Sequence, residues 1–362
     1  MSPKSRPNTK STVAELEEQV AVKVVSEALH LKKGESLTVE TWNNGLPLAR
    51  RVVAEARKAG AIPVMLFEDE DTYVFSVKNA PKDAMGKMGK HEYQLLAATD
   101  AYFFIPNEVL ESYTKRLTPE EVERATSYGE SWYEAAEKAK LRGARMSFGF
   151  AGKELARMLG KPLEEIMLHQ LKATLVDNDS LRKAGRELES RIPGGSGGSL
   201  VSGGAHLTFK FEKGVHIEDG VVGKEDVATG HNMAYLPPGF IRRDVNSESV
   251  SGRVKLSPSI SWAGMIGDAT LDFDKGRLVR WSSRSSKKTL DTVIGDQSES
   301  ERKLRGITVG LNPVMRYGYG QDRFVPGSIG IAGLEFTGIV RSGTLRASRA
   351  VIVNKGRLNL PQ

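Results

Sequence analysis

Six histidines are the first candidates for chemistry in this sequence: His30, His91, His169, His206, His216 and His231. All lie before residue 232, and the chain has no cysteine. The last third therefore offers neither imidazole nor thiol, which excludes a Ser-His-Asp triad or a histidine-rich metal site built from that third alone. Thiolate nucleophiles, cysteine-ligated zinc and disulfides are excluded throughout. The densest local cluster of ionisable residues is Glu212, His216, Glu218 and Asp219. Strand alternation puts His216 and Glu218 on one face, and the same alternation with a following turn explains these residues without a metal. His169, in a helical pattern with Ile166, Met167 and Leu171, reads as a packed or capped side chain. No HExxH, dinucleotide fingerprint or nucleophile elbow occurs. The run Pro193-Gly-Gly-Ser-Gly-Gly-Ser199 lacks the Lys-Ser or Lys-Thr of a phosphate loop, and no helical pattern follows it.

The elements that would position these residues fall into two kinds. In the first half, Val13, Leu16, Val20 and Val24 recur at helical spacing behind Ser11 and Thr12, and Gly34 precedes a β-rich run from Ser36 to Thr41. Pro47 suits an early helix position, Leu48, Val52 and Ala56 line one face, and Gly60 closes that helix. Ile62 to Phe67 reads as a strand in which Pro63 is tolerated near the start or on an edge. Ala101 to Ile105 reads as a buried strand, Thr118, Pro119 and Glu121 as a capping-box helix start, and Ala144 to Phe148 as a closing strand. Strands separated by helices predict a parallel α/β sheet.

Helical stretches from Leu163 to Thr174 and from Ser180 to Glu189 lead into the Gly/Ser-rich run, which predicts a hinge or an exposed hairpin tip. Beyond it, hairpins are expected around Lys213-Gly214 and Asp274-Lys275-Gly276, and a strand from Ala347 to Val353 before Asn354-Lys355-Gly356. The expected organisation is a basic flexible tail over 1–10, an α/β domain over 11–190, a hinge or loop over 191–204 and a β-rich domain over 205–362. No internal repeat is evident.

The 362 residues suffice for two ordinary domains, and 39% hydrophobic with 27% charged residues is the composition of a soluble globular chain. No apolar run approaches the roughly 20 residues that cross a bilayer, so a cytoplasmic protein is expected. The net charge is +7. From Ile241 to Gln362 there are 20 basic and 11 acidic residues, so the last third carries +9 and the rest −2. Such a bias suits either a solvated basic face or a surface that meets an anion.

Several colinear segments resemble one known family. Lys33-Gly34-Glu35-Ser36-Leu37 and Arg57-Lys58-Ala59-Gly60-Ala61-Ile62-Pro63-Val64 resemble the opening of the metallo-aminopeptidases of the aminopeptidase T and aminopeptidase S type. Gly204 to Phe209, Asn232 to Gly239, Ser251-Gly252, Asp274 to Val279, Gly310-Leu311-Asn312-Pro313 and Gly327 to Ala332 continue the likeness in order. The resemblance implies an N-terminal α/β domain, a β-rich C-terminal domain and a homodimer holding a two-metal site. It also implies that carboxylates and histidines bind zinc, cobalt or manganese, which activate water to remove an N-terminal residue. A ring-cleaving iron dioxygenase branch of the same broad family also depends on ligands in this region.

At each position where the resemblance calls for a ligand, this chain departs from it. Phe240 stands where the family has a glutamate after Pro238-Gly239, Gly306 where it has another, and Gly330 where it has a histidine. The closing His-x-Asp has no counterpart from Gly343 to Ala350. Neither Phe nor Gly supplies a donor to a cation. The expectation is a degenerate family member without catalytic or metal-binding residues and with no cofactor, its fold kept for binding or assembly. Arg242, Arg243, Arg305, Arg316, Arg346 and Arg349 are candidate anion-binding residues.

Two other readings stand beside it. One is an active metal-dependent aminopeptidase using a shifted set, Asp244, Glu248, Asp322 and Glu335, helped by His231. The other is a nucleic-acid-associated protein with Trp281, Tyr317, Tyr319 and Phe324 as stacking groups.

Overall fold

Thr12 starts the first helix with a capping box. Its Oγ1 accepts from the Glu15 amide at 3.2 Å, and the Glu15 carboxylate accepts from the Thr12 amide at 2.8 Å, pairing amides that a helix start leaves unsatisfied. The computed structural model describes residues 11–81, 84–107, 116–147, 150–261, 263–295, 298, 302–334 and 336–360. The N-terminal tail expected over 1–10 lies outside them.

Helix α1 (Val13–Lys23) is followed by strand β1 (Ser36–Trp42), helix α2 (Leu46–Lys58) and strand β2 (Ile62–Glu68). Then come helices α3 (Glu70–Asn79) and α4 (Lys90–Ala98), strand β3 (Ala101–Ile105), helix α5 (Pro119–Lys138) and strand β4 (Arg142–Met146). Pro47 lies in the first turn of α2, and Thr118 and Glu121 form the capping box of α5. Both match the sequence signals, as does the left-handed Gly60 (φ +82°) after α2.

Helices α6 (Lys153–Leu159), α7 (Leu163–Thr174) and α8 (Asn178–Arg191) lead to strands β5 (Gly197–Ser202) and β6 (Ala205–Glu218). Strand β7 (Met233–Leu236) then returns to the first sheet, whose order is β2-β1-β3-β4-β7 with every pair parallel. Pro63 lies on β2, the sheet's edge, where a missing amide is tolerated. One core packs α1, α2 and α7 on this sheet through Val20, Val24, Val39, Val52, Phe103 and Leu171.

The second sheet is antiparallel. Its remaining strands are β8 (Phe240–Leu256), β11 (Ala269–Asp274), β12 (Arg277–Ser283), β13 (Gly306–Gly310), β14 (Ile329–Ala332), β15 (Gly338–Val340), β16 (Thr344–Ala347), β17 (Ala350–Asn354) and β18 (Arg357–Leu358). A small hairpin, β9 (Ser259–Ser261) and β10 (Gly264–Ile266), stands apart. The order β15-β14-β13-β8-β6-β5-β16-β17-β18 places β8 near the middle, and β11 also pairs with it. Helix α8 closes this second core with Leu181, Leu188 and Ile192.

Three local expectations are corrected. Lys213-Gly214 forms no hairpin: β6 runs through it, and the irregularity is a register shift against β8 between Phe211 and Val215. The bulge absorbs the extra residues because both halves of β6 keep pairing with β8. The strand expected from Ala347 to Val353 is broken by a turn at Ser348, whose φ is +50°. The Gly/Ser-rich stretch becomes a turn and then β5, a strand interior to the sheet. A Cβ on Gly198 would collide with the Phe209 ring and lie 2.8 Å from Phe211 Cε2, so close packing of these rings accounts for a glycine there.

Candidate functional site

Antiparallel register sorts the residues of β8, β13, β14 and β15 onto two faces. Gly310 pairs with Phe240, Thr308 with Arg242 and Gly306 with Asp244, while Gly330 pairs with Thr308 and Ile339. Directly paired residues share a face. One face thus carries Phe240, Arg242, Asp244, Gly306, Thr308 and Gly330, and the other sends Ile241, Val245, Ile307, Val309, Ile329 and Ile331 into the core. Phe240, Gly306 and Gly330 lie on three successive strands and on the same side.

That side opens into a cleft of about 570 Å3. Its walls are the β9–β10 hairpin with Ser259, Ile260 and Met265, the loop from Gly318 to Arg323, and the segment from Ala332 to Arg341. Three guanidinium groups line it: Arg242, Arg323 and Arg341. Arg242 Nε donates to Asp244 at 3.1 Å. Arg341 donates to Asp322 and to the Pro258 carbonyl, both at 2.7 Å, and its buried Nε has no partner among the described residues. Burial pushes the Asp322 carboxyl up even with Arg341 beside it.

Arg323 differs from the other two. It stands in a short 3-10 turn, Asp322–Phe324, with its guanidinium 4.7 Å from the ring of Phe324, 5.3 Å from that of Tyr235 and 5.4 Å from that of Phe240. These are cation–π distances. Among the described residues it has no ion-pair partner, and burial lowers its pKa. Two further groups along the cleft have no hydrogen-bond partner among the described residues: Ser259 Oγ and Gln321 Oε1, on residues only 4% and 3% exposed. Buried polar atoms of this kind call for a partner: the Ser259 hydroxyl can donate to an anion beside the guanidinium groups, whereas Gln321 Oε1, an acceptor, calls for a donor.

Phe240 is buried under this arrangement with Ala173, Met315, Phe324 and Val325. A Cβ on Gly330 would collide with Thr308 and lie 2.8 Å from Thr337 Cγ2. Asn312 fixes the loop behind them: its side-chain amide donates to Ala173 O at 2.9 Å and Pro238 O at 2.7 Å, and its Oδ1 accepts from the amides of Val314 and Met315. These four bonds give the Asn312-Pro313 motif a structural role.

Of the six arginines singled out in the sequence, only Arg242 lines the cleft. Arg243 points to the opposite face, where it donates to the Ile192 carbonyl at 2.9 Å and the Lys213 carbonyl at 2.8 Å. Arg305, Arg316, Arg346 and Arg349 are exposed and do not line it. Arg323 and Arg341 carried no sequence signal beyond charge, since the turns that aim them depend on distant strands.

The other candidate groups are dispersed. His216 and Glu218 share a face, with Nε2 and Oε2 3.5 Å apart, and the His231 ring stacks on His216 at 4.9 Å. Asp219 pairs with Arg182 at 2.7 Å, and Glu212 is exposed. Asp244 and Asp322 are held by arginines, Glu248 is exposed and Glu335 lies outside the described residues. Among the described residues, no three His, Asp or Glu side chains are grouped to hold a metal ion. Three donorless positions beside guanidinium groups do not fit a pair of divalent cations on this sheet face. The proposed stacking aromatics form no common surface: Phe324 is fully buried, Tyr319 stacks on His169, Tyr317 lies under Arg341 and Trp281 lies under Arg302. Among the described residues no helix is long and apolar enough to cross a membrane.

Comparison with known proteins shows what this fold is similar to. The fold is similar to that of wild-type AmpT from Thermus thermophilus, with a TM-score of 0.69 at 16% identity, covering 95% of this chain and 99% of that one. It is also similar to 2,5-dihydroxypyridine dioxygenase from Pseudomonas putida KT2440, with a TM-score of 0.60 at 14% identity, covering 97% of each chain. No curated protein matches the chain. Residues 14–187, from α1 through most of α8, match the family model described as thermophilic metalloprotease (M29). The M29 model thus matches the N-terminal part of the chain, a little under half of it, and an AmpT-like fold extends over nearly the whole of it.

Proposed function

We propose that this chain is a member of the M29 family that does not carry out metal-dependent peptide hydrolysis and uses its arginine cleft to bind an organic anion. The observation that carries the reading is Arg323: a guanidinium at the cleft, set over three aromatic rings, with no carboxylate partner among the described residues. Such a group attracts an anion and repels a divalent cation. The donorless Phe240, Gly306 and Gly330 on the same sheet face support the same conclusion. Apolar walls from Leu159, Ile260, Met265 and Phe336 favour an anion with a hydrocarbon portion.

The test pairs metal content with binding. Purified protein should contain no stoichiometric transition metal and should show no leucine-aminopeptidase turnover with added zinc, cobalt or manganese. N-acetyl-leucine, an apolar carboxylate, should bind by calorimetry, and Arg323→Met should weaken it about ten-fold, as loss of a charge-assisted contact does. One or two metals per chain with turnover would overturn the loss of hydrolysis. Equal affinity in Arg323→Met would overturn the role of the cleft.

A further inference from the structure

The parallel sheet carries charge where such sheets are ordinarily apolar on both faces. Register aligns Glu40 with Phe104 and Phe104 with Arg145, and pairs Trp42 with Glu68, so these five residues share one face near the carboxyl ends of β1 to β4. They line a separate cavity of about 540 Å3, roofed by Tyr73 of α3, Glu92 of α4, and Tyr128, Trp132 and Tyr133 of α5. In open α/β sheets the carboxyl ends of the strands are where ligands bind.

The walls are mostly aromatic rings. Trp42 and Tyr73 meet edge to face at 5.1 Å, and Trp132 and Tyr133 do so at 5.3 Å. Between the rings stand three carboxylates, two of them held in place by the phenols of Tyr102 (to Glu40) and Tyr128 (to Glu92). The third, on Glu68, has no hydrogen bond or ion pair among the described residues. Burial, and then the charges of Asp69 and Glu92, raise its pKa. Two cations also line the cavity, Lys87 and Arg145. Arg145 is turned aside: it donates to Tyr133 Oη at 3.1 Å and lies over Phe104 at 5.0 Å and Tyr235 at 5.6 Å. Aromatic faces with an unpaired carboxylate among them make an environment for an organic cation, which gains ring-quadrupole attraction and an acceptor together.

We propose that this cavity binds an alkylammonium group, its nitrogen held by Glu68 in the field of Glu40 and Glu92 and its hydrocarbon part against the rings of Trp42, Tyr73 and Trp132. The site is separate from the arginine cleft, and the proposal does not depend on what that cleft binds. Calorimetry on the full chain with three probes of one length tests it: n-pentylammonium, n-pentanol and pentanoate. The ammonium should bind about ten-fold or more tighter than the alcohol, and the carboxylate weakest. Glu68→Gln should reduce ammonium affinity about ten-fold while leaving the thermal midpoint unchanged, because Glu68 is half-exposed and unpaired. Glu92→Gln, whose Tyr128 bond a glutamine can still accept, should reduce it less. Equal binding of alcohol and ammonium, tightest binding of pentanoate, or no ammonium binding up to about 10 mM would each overturn the proposal. So would a Glu68→Gln variant that folds and binds as the parent does.

Discussion

The guanidinium of Arg242 occupies the space that a side chain on Gly306 would need: a Cβ built on Gly306 would lie 2.8 Å from Arg242 Nε. Register explains the competition, because Gly306 pairs with Asp244, two residues along the same face of β8 from Arg242. The long flexible arginine can move aside. Gly306→Glu should therefore gain an ion pair with Arg242 and create no metal site, and it should lower N-acetyl-leucine affinity about ten-fold by neutralising one wall of the cleft. Zinc bound stoichiometrically by this variant would contradict that account.

Phe240→Glu tests the donor argument at a second position. Phe240 is 7% exposed and packs against Ala173, Met315, Phe324 and Val325. A carboxylate there should cost about 2 to 4 kcal/mol of stability, measured by urea unfolding. One added donor does not make a two-metal centre, so no peptidase activity should appear with zinc, cobalt or manganese. Metal-dependent turnover by this single variant would refute the reading.

Asn312 should be among the costliest polar positions to change. Its amide satisfies the carbonyls of Ala173 and Pro238, tying the end of α7 to the turn before β8. Asn312→Leu leaves both carbonyls buried without that donor, and a loss of about 3 kcal/mol or more is expected in chemical denaturation. A change under about 1 kcal/mol would show that the loop reorganises around other partners.

His169 gives the fold a pH dependence of defined sign. Its Nε2 accepts from the Arg316 amide at 3.1 Å, and its ring stacks on Tyr319 at 3.9 Å. Burial first, then the positive charges of Arg316 and Lys161, lower its pKa from 6.5 to about 4, with Glu165 opposing. The unfolded chain thus takes up a proton near pH 6.5 that the folded chain refuses until about 4. Its stabilising contribution is full above 6.5 and is lost as pH falls towards 4. NMR titration should place the midpoint near 4, and His169→Gln should lose less stability than the parent between pH 7 and about 5. A midpoint near 6.5 would refute the assignment.

Local signals alone determined much of the N-terminal half. The capping residues Thr12 and Thr118, Pro47 in a first turn, and the β-rich runs at Ser36, Ile62 and Ala101 are interactions within a few residues, and each marks its element. The missing donors at Phe240, Gly306 and Gly330 are likewise a matter of residue identity. Only the tertiary structure decided that these three positions share one face, that β7 returns to the parallel sheet, and that Lys213-Gly214 is a bulge. Those outcomes depend on pairing between strands tens of residues apart. Arginine identity alone could not separate Arg242, at the cleft, from its neighbour Arg243, because one residue of register sends a strand side chain to the opposite face. It could not mark Arg323 either, since what makes that guanidinium distinctive is that it has no ion-pair partner among the described residues. Composition counts charges, and the folded chain decides which of them remain unpaired.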